Sequence, residues 1–420
     1  MPAGRLARLG ATRDFHHGLL AVDLLYLADI RLPLERANGL QTVSTCHALA
    51  ARGHRVTLLV RPDTAAETRD PLAFYGLDPI ESLTVARVPV AGPAPLRRAH
   101  YLAAAVRHSL TPPRPTVVFT RDLGVASLLA RLPRAGRPPL VYESHGYAPT
   151  VSALMPTLHA RAASASAAKL ARLERRERRV WGSADGYVTL TTAHAEELAD
   201  RFGPRRAVAV VPDGTRLVAE RAFDWTGPRA GRPVVAYAGH LYPWKGVDVL
   251  IEALALLPDV DGRIVGGHPR ERDLERVTAL TAARGLGTRV HFTGLLPPQD
   301  VAGAIADADI LVLPNTATEV SARYTSPLKL FEYLAAGRPI VASRLPALAE
   351  VLEDGINALL VAPGDPAALA EAIRRLIADP ALALRLAARA FADAEQYSWA
   401  RRAERLDVVL ARALSPTASA

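Results

Sequence analysis

The sequence predicts two consecutive α/β domains, each organised around a parallel sheet, and three observations carry that expectation. The chain has 420 residues, more than one hydrophobic core usually serves, so two domains of roughly 200 residues each are expected. Short β-branched runs recur along it, each followed by an amphipathic stretch, which is the alternation that assembles a parallel sheet from strand-helix units. The series then starts afresh after VAERAFDWTGPRAGRP (218–233), a segment rich in Arg, Gly and Pro that reads as an interdomain linker.

The first series runs through VDLLYLADI, RVTLLV, LTVARV, TVVFT, PLVYES, GYVTL and AVAVVP. Helical patterns lie between the strands, as at Leu40 to Ala51 and Leu123 to Arg131, and Gly53 suits a helix C-terminus. The second series runs through RPVVAYAGH, GRIVGG, RVHFTG, ADILVLP, RPIVAS and NALLVAP. From Asp365 onward the pattern is almost wholly helical, and WARRAERLDVVLARAL, after Ser398, is placed to cross back onto the first domain. The division expected is therefore 1–217 together with about 398–420, a linker at 218–233, and 234–397. Ligands of open parallel sheets bind beyond the carboxyl ends of the strands, so two such sheets set a cleft between them.

Composition narrows the function classes. Half of the residues are apolar and 22% are charged, a globular balance, and no stretch reaches the roughly 18 uncharged apolar residues that span a membrane. GLLAVDLLYLADI is interrupted by Asp23 and Asp29, and the basic stretch before it (Arg5, Arg8, Arg13) lacks a small-residue cleavage site, so a cytoplasmic protein is expected rather than a secreted one. The single cysteine, Cys46, excludes an internal disulfide and a thiolate metal cluster, and fits a small apolar filler on a helix. A net charge of +9 points to anionic partners such as nucleotide phosphates or an anionic membrane face. An Arg-heavy, Lys-poor composition also follows from a GC-rich genome.

Two segments carry the chemistry. In YAGHLYPWKGVDVLIEAL a strand ends at Gly239, and Lys245 and Gly246 open a helix with apolar positions at Val247, Leu250, Ile251 and Leu254. A lysine at a helix N-terminus opposes the positive end of the macrodipole, and an anion bound by Lys245 and the first free amides resolves the conflict; the alternative is a solvated loop lysine. In ARYTSPLKLFEYLAAGRPIVAS, Ser326 suits an N-cap and Pro327 a first helical turn, so Leu328 and Lys329 offer unbonded amides as a second anion site. Glu332 falls on the same helix face as Leu328, where its carboxylate can accept from ribose hydroxyls; the alternative is a solvated charge.

Together these segments resemble the phosphate- and ribose-binding parts of the large retaining glycosyltransferase family called group 1, or family 4, of the GT-B fold. VHFTGLLPPQDVAGAIADADILVLPN is similar to that family's stretch between its donor motifs, RIVGGHPRERDL to its Gly-Gly turn, and YVTLTTAHAEEL with VVPDGTRL to the end of its first domain. The resemblance covers about residues 22–415. It implies a GT-B fold of two Rossmann-like domains facing a cleft, with Lys245 on the donor diphosphate, the Leu328 and Lys329 amides beside it, and Glu332 on the ribose. RANGLQTV resembles the glycine-containing loop after the first strand, which implies Asn38 and Gly39 near the diphosphate or the acceptor. VYESHGY resembles the strand end bearing a histidine near the transferred sugar, which implies His145. The chain departs from the family at His240, where an arginine is common after Gly239, and at Tyr324, where the first glutamate of a pair would stand.

The activity implied is transfer of a sugar from a nucleoside-diphosphate-sugar to a glycan, lipid-linked or small-molecule acceptor, with retention, and with neither metal nor other cofactor. A double displacement needs a carboxylate on the sugar face. Glu143 shares a strand face with His145, and burial or a salt bridge suits it equally, so a front-face transfer is expected, with the leaving phosphate helping to deprotonate the acceptor. The alternatives are a catalytically degenerate partner subunit and a nucleotide-sugar hydrolase or epimerase. KLARLERRERRVW (169–181) fits either a helix lying on an anionic membrane face or a solvated helix whose glutamates pair its arginines. Nucleic-acid binding is not expected, because no interleaved aromatics accompany the charge.

Overall fold

The computed structural model describes residues 21–415 except 66, 68, 159–162, 206–207, 218–221 and 270. The basic N-terminal stretch and the first part of the expected linker lie outside the described residues. All thirteen expected runs form strands: β1 (Asp23–Arg31), β2 (Arg55–Arg61), β3 (Leu83–Arg87), β4 (Val117–Thr120), β5 (Leu140–Ser144), β6 (Gly186–Thr189), β7 (Val208–Val210), β8 (Val234–Ala238), β9 (Asp261–Val265), β10 (Val290–Gly294), β11 (Ile310–Leu313), β12 (Ile340–Ser343) and β13 (Leu359–Val361). Two parallel sheets result, in the orders β3-β2-β1-β4-β5-β6-β7 and β10-β9-β8-β11-β12-β13. Near-continuous apolar strands such as VVFT and ILVL are buried on both faces, as sheets covered by helices on both sides require.

The order in which strands are added reverses once in each sheet, between β1 and β4 in the first and between β8 and β11 in the second, and such a switch point opens a crevice at the strand ends. The helix Trp399–Leu414 returns to the first sheet, where Ala403, Leu406, Val409, Leu410 and Ala413 join the core that contains Leu24 and Val56. Cys46 is buried in the same core, on the helix Ala37–Ala51. Phe223 and Trp225, although they belong to a Gly- and Pro-rich stretch, pack into the core of the second sheet with Val235 and Leu376.

The domains meet at specific contacts. Glu350, just after the short helix Pro346–Ala349, accepts from the amides of Thr192 and Ala193 at the start of helix Thr192–Phe202 in the first domain. A carboxylate there complements both the free amides and the dipole. Arg36 in the first domain lies 3.7 Å from Glu271 in the second, which sets the start of the Ala37 helix opposite the loop after β9.

Candidate active site

At the end of β8 the backbone of Gly239 has φ +125°, and the neighbouring strand end brings Gly266 so close that a Cβ on it would stand 2.2 Å from the Gly239 oxygen. The following loop does not pass directly into a helix. A single 3₁₀ turn, Pro243–Lys245, comes first, then Gly246 at φ +74°, then the helix Val247–Ala255. The amides of Lys245 and Gly246 are therefore satisfied, by the carbonyls of Tyr242 and Pro243, and the free amides of this helix begin one residue later than the sequence pattern implies. Gly246 is required here, because a Cβ would meet the Pro314 carbonyl at 1.8 Å.

Lys245 is half-buried, with its ammonium 3.7 Å from the Trp244 ring centre, and desolvation pushes its pKa down to about 7. The helix Leu328–Ala336 supplies the facing wall. Its first turn places Lys329 and, three residues on, Glu332 within electrostatic reach of one another, and Lys329 is also felt by Lys245. Burial raises the Glu332 carboxyl to about 7, only partly opposed by Lys329. The structure thus brings Gly239, Lys245, Lys329 and Glu332 together at the switch point of the second sheet.

One expectation is corrected by the geometry, and three further residues are placed by it. Ser326 is not the N-cap: Pro327 takes that position in an extended conformation, and the Ser326 hydroxyl instead accepts from the amide of Asp213 in the first domain. The amides of Leu328 and Lys329 remain the first of the helix and lack intrahelical acceptors. His240, which stands where the family commonly has an arginine, is engaged: its Nδ1 lies 3.1 Å from Glu271, its ring stacks on Tyr242, and burial lowers its pKa. Gly39 packs closely against its neighbours: a Cβ there would stand 2.1 Å from the Tyr75 hydroxyl, which bonds the Leu34 backbone. Asn38 lies in the first turn of the Ala37 helix and accepts from Thr42.

Tyr324 settles what became of the missing carboxylate. It stands at the end of a π-helical turn, Val320–Tyr324, and points away from the donor loops into the first domain. There its hydroxyl donates to Glu197 at 2.7 Å and its ring meets His194 edge-on. The side chain ties the domains together. Tyr324→Phe removes one buried hydrogen bond to a charged acceptor and is expected to cost about 1.5–3 kcal/mol, read as a lowered denaturant midpoint; an unchanged midpoint would show that the tie carries no stability.

In the first domain His145 follows β5, with its side chain 22% exposed. Nε2 donates to Glu143 at 2.5 Å and Nδ1 accepts from Arg121 at 3.0 Å, so both nitrogens are occupied. Desolvation, with Arg121 adding to it, lowers the ring to about 4, which leaves it neutral in the Nε2–H tautomer at physiological pH. The arrangement suits orientation of Arg121 and not proton transfer. Glu143 is fully buried and bonds Gln41 through one oxygen and Arg402 through the other, at 2.7 and 2.5 Å. Its carboxyl is held down at about 2, the burial penalty being overcome by Arg402 and His145. It is thus engaged in an ion pair with Arg402.

Sequence reasoning missed Arg121, Gln41 and Arg402. Arg121 immediately follows β4 at the switch point of the first sheet, a placement that the strand pattern could have revealed. Arg402 had no local signal, since its partner Glu143 lies 259 residues away. Among the described residues no group of three or more His, Cys, Asp or Glu is placed to hold a metal ion, and no helix is long and apolar enough to cross a membrane.

Comparison with known proteins adds an independent line. Residues 39–214 match the family described as glycosyl transferase 4-like domain, and residues 232–379 match glycosyl transferases group 1. The D-inositol 3-phosphate glycosyltransferase 1 of Catenulispora acidiphila is 30% identical over 294 residues, which cover 66% of this chain and 67% of that one. The D-inositol 3-phosphate glycosyltransferase of Nocardia farcinica is 32% identical over 286 residues, 64% of this chain and 60% of its own length. The match thus spans less than two thirds of that relative. The Anabaena protein HepE, crystallised with UDP-glucose, superposes with a TM-score of 0.69 at 20% identity, covering 93% of this chain and 99% of that one. Two Rossmann-like sheets with a returning C-terminal helix, matched in both halves by these sequence families, make the chain a member of the group 1, family-4-like glycosyltransferases with the GT-B fold.

Proposed function

We propose that the protein transfers a sugar from a nucleoside-diphosphate-sugar to a hydroxyl of a glycan, lipid-linked or small-molecule acceptor, with retention. The observation that carries this reading is the convergence of Lys245, the opening amides of the Leu328 helix and Glu332 beside Gly239. Loss of the diphosphate leaves negative charge on the leaving group, and fixed donors aimed at that charge are the main source of rate. Glu332 suits the ribose hydroxyls. The presence of UDP-glucose in the HepE structure supports a donor of this class.

A front-face course is favoured, because Glu143 is engaged by Arg402, Gln41 and His145 and Tyr324 points into the first domain. The leaving phosphate then takes the acceptor proton, while His145 and Arg121 orient the reacting groups. For contact with an anionic membrane face the helix Ala167–Ser183 would offer Lys169, Arg172 and Arg175, since Arg178 pairs with Glu174 and Arg179 donates to Ser127. A catalytically degenerate partner subunit is the second reading, favoured by the diverted His240 and Tyr324.

Melting curves with UDP-, GDP-, ADP- and dTDP-sugars test the donor site, because a ligand at 100 times its Kd adds about 2.7 kcal/mol to the folded state. One of the four is expected to raise Tm and to yield glycosylated product with an acceptor panel. No shift with any of them overturns the donor site, and a shift without turnover selects the partner-subunit reading.

A further inference from the structure

The resemblance leads one to look for an arginine at position 240, yet the His240 ring is engaged by Glu271 and Tyr242. A different cation reaches the same glycine from the facing helix. Lys329 is only 8% exposed, and its Nζ lies 3.7 Å from the Tyr237 ring centre and 3.0 Å from where a Cβ on Gly239 would stand. Among the described residues that Nζ has no hydrogen-bond partner. An ammonium taken out of water without a counterion is expensive, and a cation-π contact returns only part of the cost. Desolvation therefore holds the Lys329 pKa well below that of a free lysine, with Lys245 adding to the shift and Glu332 opposing it without forming a bond, and a bound anion restores the charged form. Buried lysines of this kind persist where an anion arrives to satisfy them.

Bare Gly239 leaves the space between this ammonium and the loop open, since any larger residue there would press against Nζ. We propose that the Lys329 side chain, and not residue 240, is the second cation for the donor diphosphate, which it holds opposite Lys245. The substitution of cation source explains how the chain dispenses with an arginine after Gly239. The helix thereby contributes twice, through the amides of its first turn and through a side chain carried on that turn. This inference rests on the donor-site reading above.

The test compares wild type with Lys329→Met and Lys329→Gln by calorimetric titration with UDP, GDP, ADP and dTDP, and with the corresponding nucleosides. Both variants remove the charge while filling most of the volume. For the diphosphate that wild type binds best, each variant is expected to lose about 30- to 100-fold in affinity, as befits a charge-assisted contact. Affinity for the nucleoside should change less than about twofold, and the salt dependence of diphosphate binding should flatten. Without ligand Lys329→Met should melt at or above wild type, because a buried nitrogen without a hydrogen-bond partner is removed. Equal diphosphate affinity in wild type and variants would overturn the assignment, as would equal losses for diphosphate and nucleoside, or failure of both variants to fold. If wild type binds none of the four diphosphates, the donor-site reading itself fails.

Discussion

Lys245→Ala is expected to lower turnover by about 10²- to 10³-fold, the cost of removing one preorganised donor from a site where negative charge develops. The side chain lies over Trp244 and forms no part of either hydrophobic core, so the variant should melt close to wild type in the absence of ligand. The pH profile gives a sharper criterion. Desolvation leaves the Lys245 ammonium with a pKa of about 7 in the empty site, and only the protonated form attracts a diphosphate. For a lysine whose folded value is depressed, the charged form is present below that value and disappears above it. The wild-type kcat/KM, which reports the free enzyme, should therefore fall as pH rises through about 7, and Lys245→Ala should lack that limb. Turnover within twofold of wild type would remove Lys245 from the donor site.

Arg402→Met is expected to destabilise the fold by about 3–5 kcal/mol, because it strands a buried carboxylate. Arg402 is 1% exposed and joins Thr45, the carbonyls of Val211 and Pro212, and Glu143. It thus fastens the C-terminal helix beneath the strand that carries His145. In the wild type the Glu143 carboxyl titrates at about 2 instead of the ordinary 4.5. Its depressed value means that the ion pair contributes fully above about 4.5 and is lost as pH falls toward 2. In the variant, burial without Arg402 drives the same carboxyl upward, so protonation relieves the strain and the deficit against wild type narrows on acidification. Denaturant titrations at neutral and mildly acidic pH read both effects, and adding Glu143→Gln should recover part of the loss. A deficit that does not vary with pH would contradict the stranded-carboxylate account.

The candidate site divides between what was legible along the chain and what was not. Lys245 and Glu332 could be read from neighbours within a few residues: a strand-ending glycine before one, and the helical interval from Leu328 before the other. Ser326 and Tyr324 could not. Both lie in the connection between β11 and the Leu328 helix, and their partners, Asp213 and Glu197, belong to the other domain. Residue type sets what a side chain can bond, but at a domain boundary it does not set which of two surfaces it faces.

By itself the sequence determined the two-sheet architecture, the thirteen strands and the return of the last helix, because apolar periodicity is written locally and burial of strand faces leaves few ways to stack them. Only the tertiary structure decided that Glu143 answers to Arg402, that His240 is held by Glu271, and that the Lys329 ammonium is left without a partner beside Gly239. Charges are matched through space across hundreds of residues, and their protonation follows burial that no short window of sequence contains.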